Sequence, residues 1–91
     1  MTNTESKSIE LYWRPGCGFC MGLEHGLGKH EGLSINRHNI WDDPDAAAFV
    51  REHCNGNEVV PTVRVGNTVL VNPTTGEVLA AVAKEMPEAL S

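Results

Sequence analysis

The sequence predicts an α/β domain in which three helices flank one central four-stranded mixed sheet. Three observations support this class. The chain has 91 residues, enough for a single small domain. Several short segments alternate apolar and polar residues, as strands do, and others combine helix caps with helical spacing. In chain order these segments give β-α-β-α-β-β-α, and we assign residues 8–91 to one domain and residues 1–7 to a flexible lead-in.

The first half of the chain contains two predicted strands and a helix between them. The first strand covers residues 8–13, and its apolar positions are Ile9, Leu11 and Trp13. A helix follows from Gly18 to about His30, although three glycines within it each cost about 1 kcal/mol relative to alanine. The apolar face predicted for it consists of Phe19, Met21, Leu23 and Leu27. A second alternation, in residues 33–40, predicts a short strand.

The second half begins with the clearest helix signal. Asp43 stands at the N-cap, Pro44 at the first helical position and Gly56 just past the end. Two β-branched segments, 59–65 and 68–71, then surround a Gly-Asn turn and predict a hairpin.

The last predicted helix begins with the capping box Thr74-Thr75-Gly76-Glu77 and ends before Pro87. Its buried stripe consists of Val78, Leu79, Val82 and Met86. The first two strands are joined through a helix, so they should run parallel with a right-handed crossover. The hairpin adds antiparallel strands to the same sheet.

The composition excludes several classes of function. There are 12 acidic residues against 7 basic ones, a formal charge of -5, and no Lys/Arg cluster, so neither nucleic acid nor an anionic membrane is an expected partner. No apolar stretch approaches the roughly 20 residues needed to cross a bilayer. The polar N-terminus lacks the apolar segment of a secretory signal. We therefore expect a cytoplasmic protein, and a monomer.

The strongest chemical motif is Cys17-Gly18-Phe19-Cys20. It follows the first strand directly and begins the first helix, a context typical of a redox pair. The unpaired N–H groups and the positive end of the helix dipole stabilise a thiolate at Cys17, which lowers the pKa of that thiol below about 8.5. Cys17 is therefore the predicted nucleophile, and Cys20, one turn deeper, the predicted resolving thiol. Arg14 is placed to add a positive charge near Cys17.

A zinc site built from the same two cysteines is the alternative. The further ligands would have to be His25, His30 or Cys54. Structural zinc takes four ligands, usually from two such pairs at set spacing, and the sequence contains only one pair. We therefore predict no metal site.

The remaining histidines and the third cysteine are assigned to the surface or the core. His25, His30 and His38 are expected to be solvated. His53 falls on the apolar face of the second helix and is expected to be buried. Cys54 has no partner in the sequence, so we expect it to act as a small buried hydrophobic residue with no catalytic role.

A proline at the start of a strand, Pro61, is unusual. A cis bond between Val60 and Pro61 would turn the Val60 backbone outward, leaving its N–H and C=O free to pair with an extended thiol substrate. Only about 5–6% of X-Pro bonds in folded proteins are cis, so this position alone does not predict one.

Three segments together carry a resemblance to a known family. They are residues 11–20 (LYWRPGCGFC), residues 59–63 (VVPTV) and Asn72-Pro73. These segments resemble the glutaredoxin branch of the thioredoxin-fold proteins, and within it the actinobacterial mycoredoxins. The similarity extends over roughly residues 9–86, nearly the whole chain.

The resemblance implies a thioredoxin-like (glutaredoxin) fold and no tightly bound cofactor. It also implies that Cys17 is the nucleophile, that Cys20 resolves, and that Pro61 is cis and packs beside them. The backbone of Val60 and the start of the last helix would form the thiol-binding groove. The residues implied at that helix start are Asn72, Pro73 and Thr74.

The thiol cosubstrate that the resemblance favours is mycothiol rather than glutathione. Glutathione-dependent glutaredoxins usually carry a Gly-Gly turn and an acidic residue where this chain has VNPTTG, residues 71–76. This segment is similar to that of mycoredoxins, whose thiol is the sugar-based mycothiol. Phe19 stands where many relatives have tyrosine, so a hydrogen bond from a phenol is lost.

The implied function is reduction of mixed disulfides between proteins and this thiol. The partners would be mycothiolated or disulfide-bonded client proteins, the low-molecular-weight thiol and its reductase. One alternative is a NrdH-type redoxin, an electron donor reduced by thioredoxin reductase, although the Trp-Ser-Gly-Phe stretch typical of that group is missing. Another is an iron–sulfur cluster carrier, because CGFC is similar to the CGFS motif of cluster-binding glutaredoxins and two subunits would each contribute Cys17.

Overall fold

The structure is a computed structural model that describes residues 8–90. Within that range the strands are β1 (Ser8–Trp13), β2 (Ser34–Asn39), β3 (Thr62–Val65) and β4 (Thr68–Val71). The α-helices are α1 (Gly18–Leu27), α2 (Pro44–His53) and α3 (Thr75–Glu85). The predicted order of elements is confirmed, whereas the predictions for residues 1–7 and for Ser91 lie outside the described residues. No helix in residues 8–90 combines the length and apolar character needed to span a bilayer.

The strands form one mixed sheet with the order β2-β1-β3-β4. β1 runs parallel to β2, with Trp13 opposite Asn39, and antiparallel to β3, with Leu11 opposite Val63. β3 and β4 are antiparallel. The predicted mixed sheet is therefore confirmed, and β1 is a central strand whose carboxyl end leads to the cysteine pair.

Each face of the sheet has its own hydrophobic cluster. Ile9 and Leu11 of β1 pack with apolar residues of α1, β3 and α3. Tyr12 points to the other face, because side chains alternate along a strand, and packs with Val50 of α2 and with Cys54. α1 and α3 therefore cover one face of the sheet and α2 the other. The predicted burial of Cys54 is confirmed.

Side-chain caps explain where α2 and α3 begin. The Asp43 carboxylate accepts hydrogen bonds from the backbone N–H groups of Asp45 at 3.0 Å and Ala46 at 3.3 Å. The Thr74 hydroxyl accepts from the Glu77 N–H at 3.1 Å, and the Glu77 carboxylate accepts from the Thr74 N–H at 2.9 Å. Both predicted helix starts, including the capping box, are confirmed.

The buried face of α1 differs from the predicted one. Leu23 and Leu27 are buried, as expected, but Phe19 and Met21 are 79% and 68% exposed. Cys20 takes the third buried position. The reason is geometric: Cys20, Leu23 and Leu27 share one face at helical spacing, and the two exposed residues lie on either side of it.

Two predicted boundaries were wrong, and one short element was not predicted. α1 ends at Leu27 rather than near His30, and β3 begins at Thr62 rather than at Val59. Proline has no N–H to donate to a strand ladder, which explains why β3 begins only after residue 61. A 3₁₀ turn, Pro87–Leu90, follows α3 and adds a buried alanine to the core.

Three histidines also differ from their predictions, and one of them, His30, is half-buried rather than solvated. His53 is exposed rather than buried, because it is the last residue of α2; its ring lies tilted against Phe49, with 4.5 Å between centroids. His38 is half-buried rather than solvated. Its Nε2 lies 2.6 Å from Glu10 Oε1, and its ring stacks on Tyr12 at 4.8 Å. Burial, with the Glu10 carboxylate as second cause, raises the pKa of the Tyr12 phenol.

Candidate active site

The cysteine pair lies between the end of β1 and the start of α1. Cys17 is the N-cap residue of α1, and its Sγ accepts a hydrogen bond from the Cys20 N–H at 3.1 Å. The two cysteines form a disulfide, with Cα atoms 5.3 Å apart. Such a pair can exchange two electrons with another thiol or disulfide. Among the described residues, no group of three or more His, Cys, Asp or Glu side chains is arranged to hold a metal ion.

The start of α1 favours a negative charge on Cys17. The Cys20 N–H and the positive end of the helix dipole both face its sulfur. The first turn of α1 carries no acidic side chain that would oppose them. These features stabilise a thiolate over a thiol. Cys20 lies within the helix, farther from the dipole end, and both cysteines are largely buried, with exposures of 3% for Cys20 and 7% for Cys17. The division of roles between them stays a prediction.

The loop before β3 contacts Cys17. The peptide bond between Val60 and Pro61 is cis, and the Val60 carbonyl oxygen lies 3.9 Å from the Cys17 Sγ. The Asn72 N–H donates to the Pro61 carbonyl at 2.8 Å, which connects the end of β4 with this loop. Of the predicted site residues, Val60 therefore contacts Cys17, and Asn72 is hydrogen-bonded to the neighbouring Pro61.

A groove of about 340 Å³ opens between the starts of α1 and α3. Its lining residues are Gly18, Phe19, Gly22, Leu23, Asn72, Pro73, Thr74 and Thr75. The sequence predicted Phe19 and the segment 72–74 as parts of the site, but not Gly22, Leu23 or Thr75. None of these eight lining residues, all in the described part of the chain, has a charged side chain.

Regularly spaced glycines shape this groove. Gly18, Gly22 and Gly26 recur every four residues and share one face of α1. A Cβ at Gly26 would lie 2.6 Å from the Thr75 Oγ1, so glycine lets α3 pack closely there. A Cβ at Gly18 or Gly22 would meet nothing within 4 Å, and the open space above them is the groove. The four-residue spacing is the sequence signal that could have identified this face.

Arg14 is not among the residues that line the groove. Its guanidinium lies over the ring of Trp41, 5.7 Å from the ring centroid, and its Nη1 donates to the Pro15 carbonyl at 3.3 Å. The contacts thus assign Arg14 to a surface cation–π pair, and its role beside Cys17 stays a prediction. Trp41 is 62% exposed. Sequence periodicity missed it because it lies in a turn.

Several solved structures share the fold of this chain. A thioredoxin-like protein superposes with a TM-score of 0.69 at 20% identity, covering 81% of this chain and 97% of its own. The glutaredoxin-like protein NrdH-redoxin from Escherichia coli superposes with a TM-score of 0.59 at 23% identity, and the match covers 70% of this chain and 80% of that one. The glutaredoxin from Brucella melitensis superposes with a TM-score of 0.58 at 23% identity, and the match covers 87% of this chain and 80% of that one. At these identities the similarity shows the fold alone, which is thioredoxin-like.

Sequence comparison identifies the family. The glutaredoxin family model matches residues 9–70. Mycoredoxin 1 of Corynebacterium glutamicum is 30% identical over 76 residues, which cover 82% of this chain and 92% of that protein. Together with the disulfide at the start of α1, these matches confirm the predicted family and chemistry. The chain belongs to the glutaredoxin family and is a thiol-disulfide oxidoreductase whose redox pair is Cys17 and Cys20.

Proposed function

We propose that this glutaredoxin reduces mixed disulfides between proteins and a low-molecular-weight thiol, and that mycothiol is the preferred thiol. The observation that carries the proposal is the uncharged groove next to the cysteine pair. Cys17 acts as the nucleophile and Cys20 as the resolving thiol. The low-molecular-weight thiol is a cosubstrate, and no tightly bound cofactor is required.

The groove suits a hydroxyl-rich ligand better than glutathione. Glutathione carries two carboxylates, which binding sites commonly pair with cationic side chains or free N–H groups. The lining offers instead the Asn72 amide, the exposed Phe19 ring and the Thr74 hydroxyl, which accepts from the Glu77 N–H and can still donate its own proton. At the start of α3, the Glu77 carboxylate already accepts a backbone N–H and would repel a ligand carboxylate. The sugar rings of mycothiol need hydroxyl partners and apolar contacts, and the similarity to Mycoredoxin 1 supports the same thiol.

The proposed binding mode places the thiol along Val60. Residue 60 precedes β3, so its backbone is outside the ladder that β3 forms with β1 and β4. A thiol substrate would pair with this backbone as a short added strand. Its sulfur would then lie at Cys17, and the rest of the thiol would extend over Asn72 and Pro73 toward Thr74.

The reaction begins when the Cys17 thiolate attacks the mycothiol sulfur of the mixed disulfide. A new S–S bond joins Cys17 to mycothiol, the original S–S bond breaks, and the client protein leaves as a thiolate that takes up a proton. A second mycothiol thiolate then attacks the bound mycothiol sulfur, releases mycothiol disulfide and restores the Cys17 thiolate. Alternatively, the Cys20 thiolate displaces mycothiol and forms the Cys17–Cys20 disulfide.

The partners of the protein follow from this chemistry. They are client proteins that carry mycothiol or a disulfide, the thiol itself, and the reductase that regenerates the thiol. Reduced thiol is abundant in the cytoplasm, and we place the protein there as a monomer.

Reduction of a mixed disulfide with three reducing systems in parallel tests the proposal. We expect kcat/KM with mycothiol to exceed that with glutathione by about tenfold or more, which corresponds to about 1.4 kcal/mol. Equal values for the two thiols would refute the thiol preference. Reduction of the protein by thioredoxin reductase and NADPH alone would favour the NrdH-type redoxin. A brown, cluster-containing dimer after anaerobic purification would favour the iron–sulfur carrier.

Gly22→Leu tests whether the thiol occupies the groove. The new side chain would enter open space in the groove, because a Cβ at this position meets nothing within 4 Å. We expect the KM for the thiol to rise about tenfold. The free energy of unfolding should increase slightly, since glycine costs about 1 kcal/mol inside a helix. Gly22→Ala is the matched control, because it stabilises the helix but leaves most of the groove open. An unchanged KM in Gly22→Leu would place the thiol elsewhere.

A further inference from the structure

We infer that the buried Thr62 hydroxyl positions the loop that presents Val60 to the thiol substrate, and that Cys54 supports this hydroxyl. Thr62 has 0% exposure and is a polar side chain within an otherwise apolar core. Its Oγ1 donates to the Val59 carbonyl at 2.7 Å and lies 3.9 Å from the Cys54 Sγ. The Val59 carbonyl belongs to the loop that precedes β3, so this hydrogen bond connects the buried core to the loop that carries Val60.

The direction of this hydrogen-bond chain follows from its members. A carbonyl can only accept, so the single proton of the Thr62 hydroxyl points to Val59. The remaining contact of the Thr62 oxygen is with the Cys54 sulfur. The oxygen therefore accepts from the Cys54 S–H, a weak donor. The chain of donors runs from Cys54 through Thr62 to the Val59 carbonyl.

The loop at residues 59–61 depends on hydrogen bonds from outside it, because it precedes β3 and belongs to no strand. The Thr62 hydroxyl donates a hydrogen bond to the Val59 carbonyl. The Asn72 N–H, just after β4, donates a hydrogen bond to the Pro61 carbonyl at 2.8 Å. The carbonyls on both sides of residue 60 are thus anchored by the protein itself.

Val60 lies between these two anchored carbonyls. Its own carbonyl oxygen lies 3.9 Å from the Cys17 Sγ, where the substrate sulfur has to arrive. Without the Thr62 hydroxyl, one anchor is lost and the Val60 backbone adopts orientations that do not pair with the substrate. The substrate then binds more weakly, whereas the reaction at Cys17 is unchanged. The inference rests on the proposed function, in which the Val60 backbone pairs with the thiol.

Thr62→Val tests this role, because it removes the hydroxyl and keeps the shape of the side chain. With a peptide–mycothiol mixed disulfide as substrate, we expect KM to rise about tenfold and kcat to change by less than about threefold. Thr62→Ser keeps the hydroxyl and should restore KM. Thr68→Val is the matched control, since the Thr68 hydroxyl donates to Glu85 at 2.9 Å at the opposite end of the hairpin. KM should stay unchanged in this control.

A second pair of variants tests the contribution of Cys54. Cys54→Ala removes the donor to the Thr62 oxygen, and we expect KM to rise by about threefold. Cys54→Ser retains a hydroxyl donor and should keep KM close to that of the unmodified protein. Thermal unfolding of each variant shows whether it is folded. If Thr62→Val does not fold, the comparison of the two Cys54 variants decides the question.

Several outcomes would overturn the inference: an unchanged KM in Thr62→Val, a raised KM that Thr62→Ser does not restore, or a fall in kcat with KM unchanged. Failure of the thiol preference has a different signature. In that case the unmodified protein would use glutathione equally well, and the ratio of KM between Thr62→Val and the unmodified protein would still be measured with that thiol. The two failures are therefore distinguishable.

Discussion

Cys17→Ser is expected to lower mixed-disulfide reduction by at least about 10³-fold, because a serine hydroxyl is not ionised near neutral pH and attacks a disulfide poorly. The sulfur of Cys17 stands at the N-cap of α1, where the Cys20 N–H and the helix dipole stabilise a thiolate. Serine is itself a good N-cap residue, so the helix should keep its start while the nucleophile is lost. The measurement is kcat/KM with a peptide–thiol mixed disulfide, and circular dichroism verifies the fold.

Cys20→Ser is the control for this prediction. We expect it to keep kcat/KM within about tenfold, because free thiol can resolve the enzyme–thiol intermediate without Cys20. Mass spectrometry of this variant under turnover should detect one thiol adduct, located on Cys17. If Cys17→Ser kept its activity and Cys20→Ser lost it, the nucleophile would be Cys20 and the resolving thiol Cys17.

Helix starts were predictable because their causes are local. Asp43 and Thr74 accept the first N–H groups of α2 and α3 with their own side chains, so a few neighbouring residues determine each boundary. Burial in α1 has no such local cause. Apolar side chains occupy more than one side of this helix, and only the packing against the sheet selects which side is buried. The sequence therefore predicts Phe19 and Met21 in the core, although both are exposed.

The redox pair was predictable for the same reason as the caps. Cys17 and Cys20 are one helical turn apart, and their chemistry depends on the strand and helix that adjoin them. The groove depends instead on the approach of α3 to α1, which brings Thr75 against Gly26 from a distant part of the chain. Neither the alternation of apolar and polar residues nor the capping residues indicate how α3 packs against α1. The resemblance to the glutaredoxins supplied the distant part of the site, namely Asn72, Pro73 and Thr74.

Leu11→Ala is expected to have the largest effect on stability among the substitutions considered. Leu11 is fully buried at the centre of the sheet, where it pairs with Arg37 of β2 and Val63 of β3 and packs under α1 and α3. Truncation of a buried leucine costs about 2–5 kcal/mol, because the neighbours only partly fill the cavity that remains. The total free energy of unfolding of a small domain is only about 5–15 kcal/mol. We therefore expect Tm to fall by roughly 10 °C or more.

Urea titration of Leu11→Ala measures this loss, and activity separates it from catalysis. Because Leu11 does not itself line the groove, kcat/KM per folded molecule should stay within about threefold at temperatures well below Tm. Leu90→Ala is the matched control: it deletes the same atoms from a side chain that is 37% exposed, and less burial means a smaller loss. Its cost should be less than about 1 kcal/mol. Equal losses in the two variants would contradict the prediction that the buried Leu11 side chain stabilises the core far more than the partly exposed Leu90 does.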